Sequence, residues 1–573
     1  MNDFRIGFSL LGSSQKVKAS WLILYIFIGM LLETLGIGLI LPALTILLDY
    51  DTFLSYPIGL EIVDFLGNPD QDSVVKLGLL AIVLIYFLKI IFMGLLAHRQ
   101  TAFIFNVQQY LSLKLVAGYL HQPYSFHVSR NSSELIRNAT TEVAIYISGL
   151  VGMIWVVTEG LIMFGVLSLL AYIEPLGSMV VLSVITISGL IFMKLTGSRV
   201  EKWGELREFH EGKRIQHIQQ GLGSIKDLII LGRTPNFVLN YKEHNKVSAE
   251  VGFKQGFLQA IPRLWMEAMV ILGIVTLVIA MLLQEQTGAA VIPILAVFAT
   301  AAYRLMPSFS KLVNGWQNIK YAKPVLKNLT NEVAIIEAIR EEEVISSEEE
   351  LKFSGEVIAK DLSFSFPGEN KRTIDGLNLN IKEGEVIGFA GSSGAGKSTL
   401  INLLLGLLKP SEGKICSNGN DIYQDIGKWR SKIGFIPQDI YLSDDTIRNN
   451  IALGLLPEEI DEYAIKKSLD ASSLSELIGD LDEGLDTMVG ERGVRLSGGQ
   501  QQRIGIARAL YNDPDILIMD EATSALDVEI EESIMTAVEN LQGSKTILII
   551  AHRLTVIDRC DRVYKLKDGK LSS

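Results

Sequence analysis

Residues 391–399 read Gly391-Ser392-Ser393-Gly394-Ala395-Gly396-Lys397-Ser398-Thr399. The apolar run before them, Glu385-Val-Ile-Gly-Phe-Ala390, reads as a buried strand, and Lys397-Ser-Thr-Leu-Ile-Asn-Leu-Leu-Leu405 reads as a helix. Strand, glycine-rich turn and helix is the arrangement a phosphate-binding loop needs. Gly391, Gly394 and Gly396 let the backbone approach phosphate oxygens and turn its N–H groups toward them. The helix start adds its positive end. Lys397 is placed to reach the β- and γ-phosphates of ATP, and the Ser398 hydroxyl to ligate Mg²⁺. Because such loops recur by chance, the rest of the chain must support the reading.

A second apolar run, Ile516-Leu-Ile-Met519, ends in Asp520-Glu521. A carboxylate at the end of a buried strand can hold Mg²⁺, which is the role expected of Asp520. Glu521, one residue on, is placed to orient and deprotonate an attacking water. His552 follows a third apolar run, Thr546-Ile-Leu-Ile-Ile-Ala551. It is a candidate for contact with the γ-phosphate, and a structural histidine is the equal alternative.

With these motifs in order, residues 354–573 resemble the nucleotide-binding domain of ABC transporters. The resemblance implies further roles. Phe366, before Pro367-Gly368, matches the aromatic position that stacks on adenine, with phenylalanine replacing the commoner tyrosine. Gln438 matches the glutamine that joins the metal site to the membrane domain, and Thr487–Gly493 is similar to a segment that exporters place against the partner's membrane loops. Leu496-Ser497-Gly498-Gly499-Gln500 matches the family signature, Ser524–Asp527 the loop coupling two copies, and His552 the switch histidine. In this family the signature packs on the nucleotide held by the opposite subunit, with Ser497 and Gly499 supplying a hydroxyl and an N–H. One loop and one signature per chain therefore imply two half-sites. A homodimer is the economical reading, and a heterodimer the alternative.

The first half of the chain has a different character. At 573 residues, with only 20% charged side chains, the chain exceeds a single domain. Its mean hydropathy is +0.31. Both figures point to a membrane protein. A bilayer core of about 30 Å needs roughly 20 helical residues. Six stretches meet that length, at approximately 19–48, 74–97, 141–172, 177–198, 257–283 and 288–310. Segments 49–73, 173–177 and 284–292 hold acidic residues but no Lys or Arg. The alternating segments hold Lys16, Lys18, Arg99, Lys114, Arg130, Arg137 and the run from Lys194 to Lys254. The positive-inside rule then places both termini and the two long loops in the cytoplasm. The first span is too long for a cleaved signal. Cys416 and Cys560 define neither a disulfide framework nor a metal site.

The expected fold is an all-α six-helix transmembrane domain, 1–326, then an acidic linker, 327–353, then an α/β P-loop nucleotide-binding domain, 354–573. This is the type IV ABC exporter architecture. By resemblance to exporters, Tyr124-Ser-Phe-His127 onward and Gly223–Ile229 look like short coupling helices; plain connectors are the alternative. The spans exclude a soluble ATPase of the DNA-repair type, and no nucleic-acid partner is expected.

Cargo has to be argued from the membrane half. Lys89, Arg263 and Arg304 fall within or beside spans, where charges are costly and face a cavity or a partner. A ring of cations suits a pyrophosphate headgroup. The alternative is that they snorkel or pair with Glu267, Glu33 or Glu159. Ile58–Leu66 places Ile58, Ile62, Phe65 and Leu66 on one face of a short amphipathic helix between the first two spans, suited to a leaflet surface or to capping the loop. These features, with Leu32–Pro42, His121–Phe126 and Ala302–Pro307, resemble PglK-like flippases of lipid-linked oligosaccharides in bacterial inner membranes. That resemblance implies a polyprenyl-pyrophosphate glycan bound by arginines lining a cavity, with Lys89, Arg263 and Arg304 matching by position. Rival readings are export of another amphiphile, such as a lipopolysaccharide precursor, drug or peptide, and an ATP-gated channel or regulator.

Overall fold

The computed structural model describes residues 2–40, 64, 70–283, 288–342, 352–366, 368, 371–521, 532, 535, 536, 539, 541–550 and 554–572. They form two compact units. One comprises Met1–Gln122 and Ser129–Glu341, the other Pro123–Val128 and Glu342–Ser573.

The first unit is helical. Its elements are α1 (Asn2–Ser9), α2 (Ser13–Gly38) and α3 (Gln71–Leu120); after α4 (Tyr124–Ser129) come α5 (Ser132–Arg137), a π-turn (Asn138–Glu142) and α6 (Val143–Ile173). Then follow α7 (Pro175–Gly223), α8 (Ile225–Ile230), α9 (Thr234–Leu283) and α10 (Gly288–Glu342). Among the described residues five helical stretches are long and apolar enough to cross a membrane: Ser13–Gly38, Gln71–Leu120, Ser132–Ile173, Gly177–Gly223 and Thr234–Thr276. The sixth expected span is the start of α10, whose first side chains lie outside the described ones. The expected amphipathic stretch Ile58–Leu66 also lies outside the described residues, apart from Asp64.

The helices outrun the apolar stretches that mark them. In α3 the buried positions Phe103, Val107, Leu111, Leu115 and Tyr119 recur every fourth residue, well past the expected span end at 97. That spacing keeps one face apolar, so the helix continues without a break. The same pattern carries α10 through Leu326, Leu329, Val333 and Ile336, all buried. Residues 327–342, expected in the linker, are therefore helical. The two expected coupling elements are the short helices α4 and α8.

Within the bundle Met30, Ile162, Val166, Leu170, Phe192, Met266, Ala301 and Leu305 share one core cluster. Where α6 crosses α10, a Cβ on Gly152 would lie 2.4 Å from the Gly315 carbonyl oxygen. Only glycine permits that backbone approach, which helices in lipid use in place of a hydrophobic drive.

The second unit is α/β. A four-stranded antiparallel sheet has the order β2-β1-β4-β5, from β1 (Val357–Phe364), β2 (Ile374–Ile381), β4 (Glu412–Ser417) and β5 (Asn420–Asp421). A six-stranded sheet has the order β10-β9-β3-β8-β7-β6. Its strands are β3 (Val386–Ala390), β6 (Ile433–Ile436), β7 (Ile516–Asp520), β8 (Thr546–Ile550), β9 (Arg562–Lys567) and β10 (Lys570–Ser572). The pairings from β9 to β6 are parallel. β3, β7 and β8 are almost wholly buried, as continuous apolar strands covered on both faces must be.

Candidate functional site

Register brings the two sequence motifs together. Ile550 of β8 stands opposite Phe389 of β3 on one side and Asp520 of β7 on the other. The glycine-rich loop and Asp520-Glu521 therefore leave the sheet at the same level, two strand spacings apart, or about 10 Å. This is the carboxyl edge of a parallel sheet, where open α/β folds bind ligands.

The loop from Gly391 to Gly396 joins β3 to α11 (Lys397–Leu404). Gly394 and Gly396 have φ of +78° and +101°, which side chains other than glycine rarely adopt. A Cβ at Gly391 would lie 2.4 Å from the Leu566 carbonyl oxygen. The Lys397 ammonium donates to the Gly391 carbonyl at 2.7 Å and the Ser392 carbonyl at 3.1 Å. The loop thus holds its own lysine over its concave side, the geometry of a phosphate cradle.

Asp520 is half-buried at the end of β7. Burial, then the neighbouring Glu521, push its carboxyl above the ordinary range, against the opposing pull of Lys397. Among the described residues no hydrogen bond or ion pair of its side chain satisfies it. A desolvated carboxylate in that setting is a hard oxygen ligand for a divalent cation, so the residues fit Mg²⁺.

Glu521 has a φ of +48°, a strained value for a side chain of its size. Its backbone N–H donates to the Ile550 carbonyl at 3.1 Å, which helps hold that turn. Gln438 Nε2 donates to Glu521 Oε2 at 3.2 Å. Gln438, expected beside the metal, thus also contacts Glu521 and orients it. That contact left no signal in the sequence, because the two lie 83 residues apart.

Phe366 is half-exposed and meets Phe364 edge to face at 5.1 Å between ring centroids. Its position beside the core leaves a face available for stacking. Ser497 is exposed and caps α12 (Gly498–Leu510). It accepts from the Gln500 N–H at 3.3 Å, and Gln500 Oε1 accepts from the Ser497 N–H at 2.8 Å. Among the described residues no hydrogen bond or ion pair joins Leu496–Gln500 to the loop of its own chain. Asp527 and His552 lie outside the described residues.

The membrane cations are not free. Lys89 pairs with Glu33 at 3.2 Å, and Arg304 with Glu33 at 2.7 Å and Glu159 at 3.7 Å. Glu159 also takes Lys311 at 3.0 Å and accepts from Ser308 at 2.7 Å. Arg263 is largely exposed and, among the described residues, pairs only along its own helix, with Glu267 at 3.5 Å. The structure thus joins Lys89 and Arg304 through Glu33, and it leaves Arg263 apart from them. Lys311 and Ser308 were missed in the sequence. They follow Arg304 at helical spacing, which was the available signal.

Residues 374–524 match the ABC transporter family, and residues 39–312 match the ABC transporter transmembrane region. The chain belongs to the ABC transporters. Its helical domain followed by an α/β nucleotide-binding domain is the make-up of an ABC exporter half-transporter. Over 218 residues it is 42% identical to an ATP-dependent lipid A-core flippase of Burkholderia orbicola, covering 38% of this chain and 36% of the relative. Over 222 residues it is 40% identical to a protein of that name from Ralstonia nicotianae, covering 38% and 37%. The chain thus spans little more than a third of the length of the curated relatives it matches. A bacterial Atm1-family ABC exporter with ATP bound shares the fold, with a TM-score of 0.75 and 22% identity over 98% of this chain and 95% of that one.

Proposed function

We propose that this ABC half-transporter hydrolyses ATP to drive export, working as a homodimer in a bacterial inner membrane with both termini cytoplasmic. Its proposed cargo is a polyprenyl-pyrophosphate-linked oligosaccharide, moved from the cytoplasmic to the outer leaflet. The observation that carries the reading is the shared register of the phosphate loop and Asp520-Glu521 across Ile550, in a chain that also holds long apolar helices.

In the proposed reaction Gly391 through Thr399 hold the triphosphate, with Phe366 against the adenine. Glu521, oriented by Gln438, accepts a proton from water as its oxygen bonds to the γ-phosphorus. The bond from that phosphorus to the β–γ bridging oxygen breaks, releasing ADP and phosphate. Mg²⁺, held by Ser398, Asp520 and Gln438, supplies charge neutralisation when bound. Asp527 and His552 keep their proposed roles in coupling and in sensing the γ-phosphate. Ser497, Gly498 and Gly499 are proposed to face the nucleotide of the second copy; Ser497 and Gly498 are exposed for it, whereas Gly499 is buried.

Two further observations support assembly and cargo. Helix α8 has no buried residue, and Ile229, Ile230 and Leu231 beside or within it are more than half exposed, as a surface awaiting a partner domain would be. In the membrane half, Lys89, Arg304 and Lys311 face two carboxylates, Glu33 and Glu159, so one positive charge remains in excess. Arg263 adds an exposed cation. Lys89, Arg304 and Lys311 form the core of the proposed pyrophosphate site, and Arg263, paired with Glu267 outside that network, is its proposed outlying member.

The relatives' printed name favours a second reading, in which a lipid A-core glycolipid is the cargo. Vesicles holding the purified chain and either lipid decide between them. ATP-dependent movement of the polyprenyl-pyrophosphate glycan is expected, with none in Glu521→Gln. Movement of the lipid A-core glycolipid alone transfers the cargo to the second reading. Movement of neither, with ATP turnover intact, overturns flipping.

A further inference from the structure

Helices α2 and α3 flank an open groove of about 300 Å³ that the proposed transport cycle does not use. Lys18, Trp21 and Tyr25 line it from α2, and Arg99, Phe103 and Asn106 from α3. On each helix these positions follow at three or four residues and then seven, so each contributes one face. Phe103 is buried and forms part of the floor, whereas Lys18, Trp21, Arg99 and Asn106 are exposed at the mouth.

The charge in this groove is unbalanced. Among the described residues the side chains of Lys18 and Arg99 have no hydrogen bond or ion pair. α2 carries no Asp or Glu before Glu33, and α3 carries none after Asp72. Lys18 is the last cation before the apolar run from Ala19 to Leu32, and Arg99 the first after the run from Ile90 to Ala97. Each marks where its own helix passes from apolar to polar, and the antiparallel contacts of Gly12 with Tyr110 and Gly29 with Leu96 set Lys18 level with Asn106 and Arg99 level with Tyr25, about 10 Å apart along the helices. Trp21 and Tyr25 are residue types enriched at the interface of a bilayer. Asn106 Nδ2 donates to the Ala102 carbonyl at 2.6 Å, which fixes the amide at the rim.

We infer that this groove binds one anionic phospholipid from the adjacent leaflet, its phosphate on the Arg99 guanidinium beside Tyr25 and its outer headgroup running past Trp21 to Lys18. Arg99 offers a fork to the phosphate oxygens, and Lys18 a point charge farther along the headgroup. The lipid is a resident of the α2–α3 pair and not cargo. The inference rests on α2 and α3 spanning the membrane, and it needs neither ATP turnover nor any particular cargo.

The test uses the full chain in phosphatidylcholine vesicles with a minor fraction of phosphatidylglycerol. Bromine is placed on the acyl chains of one lipid or the other. The part of the tryptophan quenching due to Trp21 is obtained by difference from Trp21→Phe. Two cations in the groove should enrich phosphatidylglycerol over phosphatidylcholine there on the order of tenfold. That preference should vanish in Lys18→Gln/Arg99→Gln. It should persist in Lys16→Gln, which removes an exposed charge outside the groove, and in the presence of inorganic phosphate. Equal quenching by both lipids overturns the inference. So does a preference kept by the double variant, lost equally in Lys16→Gln, or abolished by inorganic phosphate. A failed cargo assignment leaves this readout untouched.

Discussion

Arg207 Nη2 donates to Glu142 Oε2 at 2.7 Å, with both side chains almost wholly buried. Glu142 closes the π-turn Asn138–Glu142, and Arg137 reaches the same carboxylate at 3.5 Å. A π-turn inserted in a long helix shifts the face that follows, and such turns collect at functional sites. Here the turn, just before α6, aims its carboxylate at an arginine from α7.

Removing one member of this pair strands the other in a buried setting. Glu142→Ala should cost about 3–5 kcal/mol of stability. The apolar double replacement Glu142→Leu/Arg207→Met should recover part of that loss, because Arg137 still lacks the carboxylate. Thermal unfolding of the purified chain measures both. Equal stability of the single variant and the parent would refute the assignment.

At the nucleotide site, Glu521→Gln should keep ATP binding and lower turnover by about 10²–10⁴-fold, the usual worth of a positioned base. Gln438→Ala should lower it less, because it removes the group that orients Glu521 and leaves the carboxylate itself. Phosphate release and nucleotide binding, measured side by side, separate the two effects.

Glycines in the loop should differ in kind. At Gly391 an added methyl meets the Leu566 carbonyl, so Gly391→Ala should move β3 against β9 and cost about 1–3 kcal/mol. At Gly394 the methyl has open space, and only the φ of +78° opposes it. Gly394→Ala should cost about 1–2 kcal/mol, without displacing the strand. Thermal melting with and without ATP reads both variants.

Burial, then Asp561, push the Cys560 thiol up to about 11. A raised thiol value keeps the sulfur protonated and unreactive until the pH nears that figure. Alkylation by iodoacetamide should therefore be slow at neutral pH and accelerate continuously toward about pH 11. Mass spectrometry of the folded chain follows it. Fast labelling at neutral pH would count against the burial.

The nucleotide-binding half was legible because its strands are short, apolar and sharply ended. Runs 385–390 and 516–519 became Val386–Ala390 and Ile516–Asp520. The helix read from Lys397 begins at Lys397. Apolar length also located the membrane helices, but their ends were hidden. Beyond residue 97 the mean composition of α3 turns polar while one face stays apolar, and composition alone reports only the first fact. Pairing between distant charges was legible only as a menu. Glu33 and Glu159 were candidate partners, yet only packing of α2, α3, α6 and α10 decides that Glu33 serves both Lys89 and Arg304. The Gln438–Glu521 contact was illegible for the same reason, since it depends on where two loops meet.

Ser497 and Gln500 satisfy each other's backbone at the first turn of α12. That reciprocal closure makes the tip of the helix stiff in the lone chain. A stiff tip surrenders little freedom when another molecule lands on it. In the proposed dimer the pace of mating is then governed by diffusion and orientation, with no refolding step to wait for.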